Sequence, residues 1–158
     1  MTSKITLKLI GAIALCEFAG IIGSFFTIES IPTWYAGLLK PALNPPSWVF
    51  APVWITLYFL MGIAFFFIWQ SPIDAPNREK AILFFIVQLV LNAFWSIIFF
   101  GFHEIFWALA DIAFLWFFIL LTVIYFWKIS KPASILLWPY FLWVSFASYL
   151  NFSLFLLN

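Results

Sequence analysis

Five apolar stretches, each long enough to cross a bilayer as an α-helix, most strongly limit what this chain can fold into. A helix needs roughly 20 residues to span a hydrocarbon core of about 30 Å. A membrane β-strand needs about half that length and an alternating polar face, which the stretches lack. The sequence therefore predicts an all-α integral membrane protein, a five-transmembrane-helix bundle that forms one domain over residues 1–158. The predicted helices are Ile5–Phe26, Ser47–Trp69, Lys80–Gly101, Ile105–Trp127 and Pro132–Leu157.

The amino-acid composition fits a lipid-embedded chain and excludes several kinds of function. Hydrophobic residues make up 66% of the chain and charged residues 8%, and the mean hydropathy is +1.13. Globular proteins carry roughly 25% charged residues. One cysteine, Cys16, and one histidine, His103, cannot form an internal disulfide or a multi-histidine metal site. The net charge of +1 offers no basic surface for nucleic acid. We therefore expect no metal, no cofactor and no nucleic-acid partner.

The positions of the cationic residues predict the orientation of the bundle. One side of the predicted helices carries Lys4, Lys8, Arg78, Lys80, Lys128 and Lys131. The other side carries only Lys40. Loops rich in Lys and Arg stay in the cytoplasm. We therefore predict a cytoplasmic N-terminus, with the first loop outside a bacterial-type inner membrane.

The longest predicted connection, residues 27–46, has an unusual composition for a linker. Its prolines are Pro32, Pro41, Pro45 and Pro46. Because proline fixes φ and removes a hydrogen-bond donor, such a loop has few conformations and would act as a rigid lid. The alternative is a plain linker that Trp34 and Tyr35 anchor at the membrane interface. The sequence leaves both interpretations open.

Several polar and aromatic residues inside the predicted helices fall into one layer beneath this loop. They are Trp54, Trp95, Asp111 and Asn151, with Glu17 at a comparable depth. At about 1.5 Å per residue, the first four lie roughly 9–10 Å below the loop side. Polar side chains in lipid turn towards the bundle interior. The layer therefore predicts a lidded ligand pocket to which all five helices contribute.

The polar residues of these helices also have simpler interpretations. Gln88, Asn92 and Asn151 would be explained equally well by hydrogen bonds between helices. Glu17 is harder to explain in this way, because a carboxylate near mid-membrane costs at least about 2.5 kcal/mol. We predict that Glu17 is paired, protonated or functional, and the sequence identifies no partner for it.

Sequence motifs run in a fixed order through nearly the whole chain. The first loop carries W-Y-x-x-L-x-K-P at residues 34–41 and then P-P-x-W at 45–48. Further motifs are Pro52-Val53-Trp54, Leu57-Tyr58, Met61-Gly62, Gln88-Leu89, Leu91-Asn92, Trp95, Phe99-Phe100-Gly101, Trp107-Ala108-Leu109, Asp111, Pro139-Tyr140, Trp143, Phe146-Ala147 and Leu150-Asn151. In this order they resemble the TspO/MBR family, the tryptophan-rich sensory proteins and translocator proteins.

The resemblance implies a homodimer whose first loop covers a tryptophan-rich pocket. It implies binding of protoporphyrin IX or a related tetrapyrrole, and of benzodiazepine- or isoquinoline-type ligands. Cholesterol binding is expected to be weak or absent, because residues 150–155, at the end of helix five, lack the central tyrosine of the animal cholesterol pattern and no Lys or Arg follows Lys131. Together with the polar layer and the loop tryptophan, the predicted ligand-binding residues are Trp34, Trp54, Tyr58, Asn92, Trp95, Trp107, Asp111, Trp143, Ala147, Leu150 and Asn151.

Three functional interpretations remain open from the sequence. The first is a membrane receptor or translocator that senses or moves tetrapyrroles. The second is a light-dependent porphyrin-degrading enzyme that uses pocket tryptophans, with Trp54 and Trp143 as the candidate redox groups. The third is a small membrane scaffold without a working pocket. The chain has no hydrolase, metal or phosphate-loop motif, so we expect binding rather than catalysis.

Overall fold

Five long helices make up nearly all of the computed structural model, which describes residues 2–72 and 76–158. They are α1 (Thr2–Ser30), α2 (Phe50–Gln70), α3 (Arg78–Ser96), α4 (Ile105–Ile129) and α5 (Lys131–Leu157). A first π turn, Ile31–Tyr35, extends α1, a second π turn, Ile97–Gly101, extends α3, and a 3₁₀ turn, Ser47–Val49, precedes α2. All five helices are long and apolar enough to cross a membrane. The prediction of a five-helix, multi-pass integral membrane protein is confirmed.

The connection between α1 and α2 is shorter than the sequence predicts. The predicted loop began at residue 27, but the chain stays helical through α1, the first π turn and Gly37. The irregular part, called here the lid segment, is residues 38–46. Pro32 lies in the first turn of the π segment. There the backbone hydrogen bonds change from the α-helical i→i−4 pattern to the π-helical i→i−5 pattern. A proline, which has no N–H to donate, is therefore tolerated at this position.

The helices pack in a ring in the order α1, α2, α5, α4 and α3, and contacts between α1 and α3 close the ring. The half of the bundle far from the lid segment is filled by aromatic side chains. Phe85 stacks on Phe65 with ring centroids 4.6 Å apart and on Phe126 at 5.7 Å. Gly62 of α2 lies directly against the backbone of α1 at Ile13. This half is therefore solid, and the free volume of the bundle lies in the other half.

A chain of buried hydrogen bonds joins three helices at the middle of the bundle. The Tyr58 hydroxyl donates to Asn92 Oδ1, and Asn92 Nδ2 donates to the Tyr140 hydroxyl over 2.9 Å. Tyr140 in turn donates to Gln88 Oε1 over 2.7 Å. For Gln88 and Asn92, the structure thus shows the simpler interpretation, hydrogen bonding between helices.

Replacing Tyr140 with phenylalanine tests this chain of hydrogen bonds. Tyr140→Phe removes one donor and one acceptor from a fully buried site, and we expect the free energy of unfolding to fall by about 1–2 kcal/mol. Cys16 is the only cysteine and is buried, so a thiol-reactive dye reports unfolding. Tyr149→Phe is the matched control, because this exposed tyrosine of the same helix makes no side-chain hydrogen bond within the described residues. Equal stability of the two variants would contradict the prediction.

Candidate functional site

A cavity of about 400 Å³ occupies the half of the bundle next to the lid segment. This volume falls within the range of small-molecule sites. Its wall is built by the C-terminal half of α1, the N-terminal half of α2, the end of α3 with the second π turn, and the C-terminal half of α5. These ends meet because the helices alternate in direction along the chain.

Aromatic side chains form most of the inner wall. Trp54 and Tyr58, one helical turn apart on α2, have ring centroids 5.6 Å apart. Trp95 of α3 stacks on Phe99 at 4.9 Å and donates through Nε1 to Asn151 Oδ1 over 3.0 Å. The adjoining wall on α5 includes Trp143, whose ring lies 6.2 Å from that of Phe50 of α2, centroid to centroid, and whose Nε1 is buried without a hydrogen-bond partner among the described residues. The inner wall therefore consists mainly of the faces and edges of large aromatic rings.

The two π turns pack together to form the roof of the cavity. Ser30, at the end of α1, donates to the carbonyl of Phe100 over 2.6 Å. Tyr35 packs against Phe99 and Phe100 with ring centroids 6.2 Å and 5.9 Å away. Trp34 supports this roof from behind, because it lies against Phe99 and stacks on the His103 ring at 4.4 Å.

The lid segment lies over this roof and is fixed at both ends. The Tyr35 hydroxyl donates to Asn44 Oδ1 over 2.7 Å. The side chain of Asn158 accepts from Leu39 N over 2.9 Å and donates to Leu39 O over 3.1 Å, which ties the segment to the end of α5. The described wall of the cavity includes no residue of the lid segment itself. The lid segment therefore holds Tyr35 in place and does not itself line the described cavity.

The exposed residues of its wall indicate that the cavity opens sideways, between α1 and α2. The exposed large apolar side chains of its rim are Ile21 and Ile28 of α1 and Ile55 of α2. These residues lie within helices that cross the membrane, so the opening faces the hydrocarbon region.

The structure brings most of the predicted site residues to the cavity wall. Those that line it are Trp54, Tyr58, Trp95, Trp143, Ala147, Leu150 and Asn151. Trp34 lies behind the roof. Asn92 lies behind Tyr58 and accepts a hydrogen bond from the Tyr58 hydroxyl. Within the described residues, α4 contributes no side chain to the lining. The prediction that all five helices share the pocket is therefore wrong for α4.

Trp107 and Asp111 line a separate groove on the outer face of the bundle. Trp107 is 62% exposed, and the groove also includes Phe102, Glu104 and Phe114. The reason is helical geometry: α4 turns Ala108, Ile112 and Leu115 inward between α3 and α5. The neighbouring stripe at positions 107, 111 and 114 then faces outward. Asp111 Oδ2 is buried there without a partner among the described residues.

Sequence reasoning did not identify several residues that shape the cavity. Ile31, Tyr35, Phe99 and Phe100 form the roof, and nothing in the sequence marks a π turn. Gly20 is recognisable in the sequence, because a small residue one helical turn from Glu17 predicts that another group packs closely against this face of α1. That group is the Tyr58 ring: a Cβ built on Gly20 would lie 2.5 Å from Tyr58 Cε2.

Fold and site together define a five-helix membrane protein with a tryptophan-lined, ligand-sized cavity. Comparison with known proteins identifies the family to which this membrane protein belongs. The chain belongs to the TspO/MBR family, whose model matches residues 12–157.

Relatives of this chain occur in archaea, bacteria and animals. It is 46% identical over 152 residues to the tryptophan-rich protein TspO of Archaeoglobus fulgidus, covering 96% of this chain and 97% of the relative. It is 44% identical over 156 residues to the protein of the same name from Chlorobaculum tepidum, covering 99% of each. It is 37% identical over 134 residues to the translocator protein of Homo sapiens, covering 83% of this chain and 78% of the relative.

Proposed function

We propose that this protein is a membrane receptor or translocator that binds tetrapyrroles of the protoporphyrin IX type in the cavity between α1, α2, α3 and α5. Membership of a family that includes translocator proteins and tryptophan-rich sensory proteins supports the receptor or translocator role. The observation that carries the tetrapyrrole assignment is the set of three indole rings, from Trp54, Trp95 and Trp143, around one cavity.

The chemistry of the cavity suits a large flat macrocycle. Offset stacking on an aromatic ring stabilises a bound ring by about 0.5–1.5 kcal/mol beyond the burial of apolar area. The sideways opening admits a ligand from the bilayer, where a porphyrin dissolves. Other flat hydrophobic molecules, including benzodiazepine- and isoquinoline-type ligands, fit the same description.

The proposed orientation places the cavity on the outer side of a bacterial-type inner membrane. The excess of Lys and Arg on the N-terminal side supports a cytoplasmic N-terminus. The lid segment and the cavity roof then lie on the outside. A ligand that enters between α1 and α2 would do so in the outer half of the bilayer.

Titration with protoporphyrin IX in the dark tests the proposed function. We expect saturable binding at one site, followed by porphyrin absorbance. Trp54→Leu and Trp143→Leu should each weaken it about three- to ten-fold, because each removes one stacking surface. Trp107→Leu, the same substitution in the outer groove, is the matched control and should leave affinity unchanged.

The contrary result is linear, unsaturable uptake that is identical in all variants. It would mean that the porphyrin partitions into detergent, and the tetrapyrrole assignment would fail. Repeating the titration under light tests the enzymatic alternative. Loss of porphyrin beyond one equivalent of protein would identify turnover.

A further inference from the structure

The carboxylate of Glu17 is the only acidic or basic side chain in the described wall of the cavity. It lies on the same face of α1 as Gly20 and Ser24, which also line the cavity, because these positions are three and seven residues away. Gly20 packs against the ring of Tyr58, so Glu17 lies one turn deeper, at the floor. Within residues 2–72 and 76–158, Glu17 forms no hydrogen bond or ion pair.

The basic side chains nearest to the cavity are engaged elsewhere. Lys40 Nζ donates to the carbonyls of Ala36 and Leu38, each over 3.1 Å, and lies 4.8 Å from the centroid of the Tyr35 ring. Lys8, the nearest basic residue along α1, is roughly 14 Å from Glu17 along the helix axis. A carboxylate that loses water without gaining a positive partner is strongly disfavoured. A positively charged ligand would supply that partner.

The surroundings of Glu17 suit an organic cation and not a metal ion. A metal ion needs several oxygen, nitrogen or sulfur ligands, and no group of three His, Cys, Asp or Glu side chains occurs in the described part of the chain. An organic cation instead gains from the faces of aromatic rings, tryptophan above all. Trp54, Trp95 and Trp143 present such rings in the same cavity.

We propose that the cavity also takes flat organic cations, lipophilic ammonium or aromatic nitrogen cations, with Glu17 as their counter-ion. The tryptophan rings hold the apolar body, and the carboxylate at the floor pairs with the positive nitrogen. The inference rests on the proposed function in one respect, that the cavity is a ligand site. It deepens that function by assigning a charge preference to the site.

The test compares two fluorescent probes of the same shape in the purified full-length protein. N-methylacridinium carries a permanent positive charge, and acridine is uncharged in mildly alkaline buffer. We expect Glu17→Gln to weaken N-methylacridinium binding at least about ten-fold, as for a lost charge-assisted contact. Acridine binding should stay the same. Glu29→Gln is the matched control, because Glu29 is an exposed carboxylate of α1 outside the cavity wall.

Each outcome decides the proposal. A loss of binding confined to the cation and to Glu17→Gln supports it. Equal effects on both probes, or no effect, overturn it. If Glu17→Gln does not fold, the wild-type protein decides, because equal affinity for the two probes overturns the charge preference. Saturable porphyrin binding without cation binding would remove this inference alone. If neither porphyrin nor acridinium binds, the proposed function fails as well.

Discussion

Among the Gly→Ala substitutions of this protein, Gly62→Ala is expected to destabilise it most. A Cβ built on Gly62 would lie 2.5 Å from Ile13 Cα and 3.0 Å from Ile13 N. Both are backbone atoms, so the clash can be relieved only by moving α1 away from α2. Overpacking of this kind costs about 1–3 kcal/mol, and we expect the upper end of that range.

Thermal unfolding measures the effect of Gly62→Ala directly. Cys16 is buried on α1 beside the α1–α2 contact, so a thiol-reactive dye detects separation of the two helices. We expect the midpoint Tm to fall by about 6–12 °C. Gly37→Ala is the matched control, because a Cβ there meets nothing within 4 Å. An unchanged Tm for Gly62→Ala would show that α1 and α2 are not packed as described.

The helices could be predicted from the sequence because each has to satisfy its backbone hydrogen bonds within the bilayer. This requirement fixes the number and length of the apolar spans, and the predicted bounds differ from the structure by only a few residues at most ends. The end of α1 is the exception. Pro32 normally predicts a helix end, but here a π turn carries the helix past it. The sequence has no signal for that change in hydrogen bonding.

The depth of the candidate site residues along their helices could be predicted from the sequence, but not whether each residue faces the interior of the bundle. Counting residues from the loop side placed Trp95, Asn151 and Asp111 in one layer, and the structure joins the first two by a hydrogen bond. Asp111 lies on the outer face, because the packing of α4 between α3 and α5 decides which stripe of that helix faces inward. That choice depends on Ala108 and Ile112, whose size and shape fit the inner side. Polarity alone does not determine it.

Filling the cavity is expected to have the largest effect on ligand binding. Ala147 of α5 lines the cavity next to Trp143 and is only partly buried. Ala147→Trp would place an indole ring in the space that the ligand needs. Because the site has about 400 Å³ in all, we expect protoporphyrin IX affinity to fall at least about 100-fold, equivalent to about 2.8 kcal/mol. The measurement is the dark titration of the purified variant.

Ala113→Trp is the control that separates cavity filling from a general effect of added bulk. Ala113 is exposed on α4, away from the cavity wall, so an indole there would face lipid. We expect this variant to bind protoporphyrin IX as the wild type does. Ala147→Trp should keep a cooperative unfolding transition by the Cys16 assay, because its ring enters existing space. Retained affinity in a folded Ala147→Trp protein would show that the macrocycle binds elsewhere, and the outer groove at Trp107 and Asp111 would be the next place to test.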